Sequence, residues 1–180
     1  MPTVRDRVLD AYETLLIDHG GASVTLDAVV AAAGVSKGGL LYHFASKEAL
    51  ATGLLDRLRE RSAADAEAIR NAPDGAVAYY VRTSAPGGAS PGGLTRTYLA
   101  VLRLADSTTT GQAVRDALAK VDADGYAALL DELGDPVLAW LAQLVGDGLY
   151  LRTLTGTPMP PDMTVDDLLD RMRQYAPRRQ

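Results

Sequence analysis

The 180-residue sequence has no cysteine, one tryptophan, one phenylalanine and only two histidines. Without cysteine there is no disulfide framework, no thiolate metal site and no cysteine nucleophile. His19 and His43 stand apart, and neither belongs to a spaced set of His, Asp or Glu ligands, so no metal or cofactor is expected. No hydrophobic run is long enough to span a membrane, and stretches such as Val137 to Val145 are interrupted by polar residues. The N-terminus MPTVRDRVLD lacks the apolar run of a secretory leader, so a cytoplasmic location is expected. A basic excess is missing too. Lys and Arg number 18 against 23 Asp and Glu, for a net charge of −5, where a nucleic-acid module usually carries surplus positive charge. Over residues 1–47, Arg5, Arg7, Lys37 and Lys47 face Asp6, Asp10, Glu13, Asp18 and Asp27. Any contact with DNA therefore relies on a few well-placed cations, hydroxyls and backbone amides.

What is present is helical periodicity. Hydrophobic residues make up 47% of the chain, enough for a core in one or two small domains. Residues 4–18 place Val4, Val8, Tyr12 and Leu15 on one stripe, and Gly20-Gly21 ends that helix. Ser46 caps a longer helix with Leu50, Leu54, Leu55 and Leu58 inward, running into the mixed charges of 56–70 until Pro73. Those charges, Arg57 and Arg61 among them, read as a solvent-facing side. Further helices are expected over 76–83, 94–105, 112–133 and 136–155, with Pro136 in a first turn. APGGASPGG (85–93) reads as a flexible connection, 156–163 as a loop, and 165–175 as a terminal amphipathic helix. No alternating strand pattern of useful length appears, so the expected fold class is all-α.

The most informative stretch is TLDAVVAAAGVSKGGLLYHFASKEAL, residues 25–50. Leu26, Val29, Val30 and Ala33 share one helical face. Gly34 supplies the turn, Ser36 is a good N-cap, and Leu40 and Phe44 form the inward face of a second short helix. Helix, glycine turn and helix make a helix-turn-helix, which lays its second helix in the DNA major groove. The string from Gly34 to Leu50, followed by an all-helical remainder, resembles the DNA-binding head of the TetR family of transcriptional regulators.

That resemblance implies a helix-turn-helix domain over 1–47 and a helical effector-binding and dimerisation domain over 48–180. It places Thr25 against a phosphate, and Ser36, Lys37, Gly38 and Gly39 at the groove-facing end of the recognition helix. It sets Tyr42, His43 and Lys47 along the flanking backbone. Leu41 stands where the family often has an aromatic, and the Gly38-Gly39 pair removes two side chains that could read bases. Lys37 is then the best candidate for a guanine O6/N7 contact. The resemblance further implies a homodimer on a near-palindromic operator, usually a repressor, with a small-molecule effector.

In the body, Tyr98, Leu102 and Trp140 are candidates for an effector cavity, with ordinary core as the competing reading. Few cations are available there, which favours a neutral or apolar effector over a phosphorylated one. Leu144, Gly148, Leu151, Leu168, Leu169 and Met172 are candidates for a dimer interface, with an intrachain core as the competing reading. Gly146 and Gly148 are costly in a helix unless another helix crosses closely. No nucleophile–base pair, metal cluster or phosphate-cradling loop points to an enzyme. The alternative is a small-molecule-binding helical protein with lost or weak DNA binding.

Overall fold

The structure is a computed structural model that describes residues 2–88, 93–105 and 109–175. Among them are nine helices and no strand: α1 Val4–His19, α2 Leu26–Ala33, α3 Lys37–His43, α4 Lys47–Arg70, α5 Ala76–Ser84, α6 Leu94–Leu102, α7 Gly111–Leu133, α8 Pro136–Thr155 and α9 Val165–Tyr175. The expected all-α class is what the chain adopts. Of the expected connection 85–93, residues 89–92 lie outside the described residues. No helix among the described residues is long and apolar enough to cross a membrane.

The boundaries follow local chemistry. Thr3 caps α1 in a reciprocal box with Asp6, which satisfies two orphan donors at once. The Thr3 hydroxyl and its backbone N–H hold the Asp6 carboxyl below its usual range. Asp135 caps α8 through the amides of Val137 and Leu138, with Pro136 just inside. There its missing N–H costs nothing.

The chain divides into two compact units, Met1–Arg61 with Gly93–Val121, and Ser62–Gly92 with Asp122–Gln180. In the first, α1 packs against α2, α3 and α6. Its buried face is accordingly broader than the expected stripe: Val8, Leu9, Tyr12 and Leu16 are buried, while Val4 and Leu15 lie at its edge. Leu50, Leu54, Leu55 and Leu58 of α4 are buried as the spacing predicts. Each such leucine contributes about 1.5–3 kcal/mol of apolar burial.

The solvent-facing reading of the α4 charges fails at Arg57, which is only 6% exposed. The cause is Glu13, an acid of α1 that is 1% exposed. Its carboxylate accepts from Arg57 at 3.3 Å and Arg61 at 3.1 Å, pairs with Arg96 at 3.3 Å, and accepts from the Thr97 hydroxyl at 2.7 Å. A carboxylate out of water needs this many donors. Arg57 also reaches Asp6 and Asp10.

In the second unit α5 packs against α8 and α9. The Tyr80 ring fills the place where a side chain on Gly146 would stand and touches the open position at Gly125. The close crossing expected at Gly146 is present, whereas nothing lies within 4 Å of a Cβ built at Gly148.

Candidate nucleic-acid interface

Three short-range devices shape the head. The Thr25 hydroxyl accepts the amide of Ala28 at 3.2 Å and so starts α2. Gly34, at φ 61°, turns the chain out of α2 in the left-handed region that favours glycine. The Ser36 hydroxyl accepts the amide of Gly39 at 3.0 Å and starts α3. Each hydroxyl keeps its own hydrogen free to donate to a phosphate oxygen.

The third helix is fixed by its inner face. Leu40 and Phe44 are buried in the core of the first unit. A Cβ at Gly53 of α4 would come 2.5 Å from the Phe44 ring, so α4 accepts that ring only because Gly53 has no side chain. Arg5 lies 5.8 Å over the same ring. With Leu40 and Phe44 inward, Ser36, Lys37, Gly38, Leu41, Tyr42 and His43 are all exposed, Tyr42 at 86%. Tyr42 and His43 meet edge to face at 5.0 Å.

Both lysines of the candidate interface are already engaged. Lys37 Nζ lies 2.8 Å from Oδ1 of Asp27, with both side chains well exposed. Lys47 Nζ donates to the Gly21 carbonyl at 2.9 Å, partly buried in the turn after α1. Asp27, Glu13 and Gly53 escape a reading based on helical periodicity. The only trace of Asp27 and Glu13 is the spacing of opposite charges, which is ambiguous until the helices are packed, and Gly53 leaves none. Glu48 sits in the first turn of α4, where backbone and Ser46 hydrogen bonds hold its carboxyl below the usual range.

The remaining candidate residues are dispersed. Tyr98 is half-buried against the core of the first unit and Leu102 is exposed on the same helix, while Trp140 belongs to the second unit at 46% exposure. None of the three lines the apolar cavity of about 210 Å³ in the second unit, whose walls include Val77, Leu133, Leu138, Ala142, Leu169 and Met172. Leu144, Gly148 and Leu151 lie exposed along α8, together with Val137 and Leu141. Leu168 and Met172 are half-buried, and Leu169, at 2% exposure, packs inside its own unit with Ala78, Val81 and Leu149.

Residues 8–54 match the family model of the bacterial regulatory proteins, tetR family. Among solved structures, the chain is similar to a proposed transcriptional regulator of Streptomyces coelicolor A3(2), at 22% identity over 97% of this chain and 99% of that one, with a TM-score of 0.65. It is similar to the multidrug binding protein EbrR complexed with imidazole, at 23% identity over 100% of this chain and 98% of that one, with a TM-score of 0.65. It is also similar to a TetR-family member from Streptomyces coelicolor A3, at 22% identity over 98% of this chain and 99% of that one, with a TM-score of 0.54. No curated protein sequence matches the chain. Residues 8–54 thus carry a head that matches the tetR family, and the whole chain shares its fold with these solved structures.

Proposed function

We propose that this protein is a cytoplasmic, non-catalytic repressor that binds a near-palindromic operator as a homodimer. The observation that carries the reading is the division of α3 into a buried pair, Leu40 and Phe44, and an exposed row from Ser36 to His43. A helix so anchored offers its first turn to base edges, with hydroxyls and cations for the flanking phosphates. Functionally, residues 1–47 would read DNA and 48–180 would bind the effector and the second subunit. Thr25, Tyr42, His43 and Lys47 would grip the backbone, and Ser36, Lys37, Gly38 and Gly39 would approach the bases. Lys47 would have to leave the Gly21 carbonyl to do so.

The apolar row Leu144, Gly148 and Leu151 on α8 supports the dimer, because a long exposed stripe of this kind is usually an interface. A dimer sets two recognition helices one helical turn of DNA apart, and an effector that prefers another spacing lowers operator affinity by its differential affinity for the two states. EbrR is a multidrug binding protein, in keeping with a small-molecule effector here.

The test is a gel shift with DNA flanking the protein's own gene, repeated across salt, beside sedimentation of the free protein. Tight, salt-sensitive binding to a palindrome by a dimer is expected. No binding at low salt, or a monomer at micromolar concentration, would overturn it. The Lys37–Asp27 pair favours the second reading, a helical small-molecule binder with weak DNA affinity, and the same gel shift decides between the two.

A further inference from the structure

In the second unit α7 and α8 bound an open cleft of about 500 Å³ whose walls include Asp122, Tyr126, Pro136, Val137 and Trp140. Tyr126 and Trp140 form an aromatic wall, edge to face with ring centres 6.2 Å apart. Beside them stands a carboxylate. Asp122 Oδ1 accepts from Gln143 Nε2 at 2.7 Å, and the Asp122 carbonyl accepts from the same nitrogen at 3.0 Å. Its other oxygen, Oδ2, has no partner among the described residues.

Gln143 is completely buried. Its amide cannot turn over without setting oxygen against the two Asp122 oxygens, so its orientation is chemically fixed. Its Oε1 is thereby left a buried acceptor with no donor, a state that proteins seldom leave unfilled. One turn further along α8, desolvation and repulsion from Asp122 push the Asp147 carboxyl up, against the opposing hydrogen bond from the Tyr80 hydroxyl at 2.9 Å. Negative charge therefore gathers beside the cleft, and the groups acting on Asp147 include no cation.

We propose that the α7–α8 cleft binds a small protonated organic amine, with its ammonium on Asp122 and its apolar body against Tyr126 and Trp140. Aromatic faces attract cations, and the attraction grows as water is excluded. Among the described residues no three His, Cys, Asp or Glu side chains come together to hold a metal ion, so the charge suits a cation that brings its own apolar surface. An N–H-bearing ammonium suits the site better than a quaternary one, because Asp122 Oδ2, on the cleft wall, can accept a hydrogen bond that a quaternary centre cannot donate. This gives the effector of the proposed function a chemical class and rests on that reading for its regulatory role. Binding itself does not depend on it.

Trp140 is the single tryptophan of the chain, so intrinsic emission reports directly on this cleft. The intact protein, without DNA, is titrated with phenethylammonium and with its neutral analogue phenethyl alcohol. A saturable change in emission with the amine is expected, with the alcohol at least about tenfold weaker, as loss of a charge-assisted hydrogen bond requires. Asp122→Asn should raise the amine midpoint by about tenfold or more, with unchanged circular dichroism. If that variant does not fold, Tyr126→Leu read by calorimetry replaces it, with weakened amine binding expected. Equal response to amine and alcohol, or an unchanged midpoint in the variant, overturns the proposal. So does an emission shift that follows protein concentration alone, which would mean that a second copy covers the cleft. Because DNA is absent, failure here leaves operator binding untouched, and failure of operator binding leaves this result intact.

Discussion

The ammonium of Lys37 lies 2.8 Å from the carboxylate of Asp27, and both stand in solvent on the exposed face of the helix-turn-helix. An exposed pair of this kind contributes only about 0.2–1 kcal/mol, too little to explain it as a stabilising device. Its effect falls on the ligand instead. Under the proposed function, Asp27 offers a negative charge where phosphates would approach and occupies the lysine proposed to read a base. Asp27→Asn should tighten operator binding by a few-fold at low salt, and the gain should fade as salt screens the interaction. Fluorescence anisotropy at two salt concentrations reads this. Weaker binding by the variant would mean that Asp27 itself accepts a hydrogen bond from DNA.

Lys37→Ala should relax discrimination at one base pair per half-site, at a cost of roughly 1–3 kcal/mol. His43→Ala and Lys47→Ala should instead weaken all sequences about alike. Selection from a randomised half-site separates these outcomes. A uniform loss for Lys37→Ala would make that residue a phosphate contact.

Glu13→Ala should cost about 1–3 kcal/mol, because the Thr97 hydroxyl and the surrounding guanidinium groups lose their shared buried acceptor while Arg57 keeps Asp6 and Asp10. Urea denaturation gives the difference. A loss below about 1 kcal/mol would place Glu13 with ordinary surface pairs.

The two glycines of α8 should respond in opposite directions. A methyl group at Gly146 collides with the Tyr80 ring, and overpacking of this kind costs about 1–3 kcal/mol. Gly148 has open space around it, so Gly148→Ala should stabilise the helix by roughly 0.8–1 kcal/mol. Thermal melts of the two variants side by side test the contrast. A weakened dimer in Gly148→Ala alone would show that two copies approach closely there.

Asp147 should give the protein a stability that falls with rising pH. Its carboxyl is raised above the ordinary value of 3.8, so its contribution is complete below that value and is lost as pH climbs through the raised one. Asp147→Asn should match the parent in acid and exceed it near neutrality. Melting temperatures from roughly pH 3 to pH 7 check the sign.

Much of this was readable before any coordinates. Gly34, Ser36, Pro136 and the glycine after α1 act through local backbone chemistry, so their consequences follow from the residues themselves. The exposed face of α3 was legible for the same reason, since Leu40 and Phe44 four residues apart leave only one face for solvent. What stayed hidden depends on which helices become neighbours. Arg57 looks like any surface charge until α1 brings Glu13 against it. Trp140 is legible in the sequence as a candidate cavity residue, yet Asp122, the carboxylate on the wall of its cleft, carries no signal in periodicity.

Gly38 ends with an unexpected freedom. Nothing lies within 4 Å of a Cβ built there, so the interior of the protein places no demand on that position. A methyl group could be installed there without repacking anything. It is the natural place to begin varying the face that α3 offers to solvent.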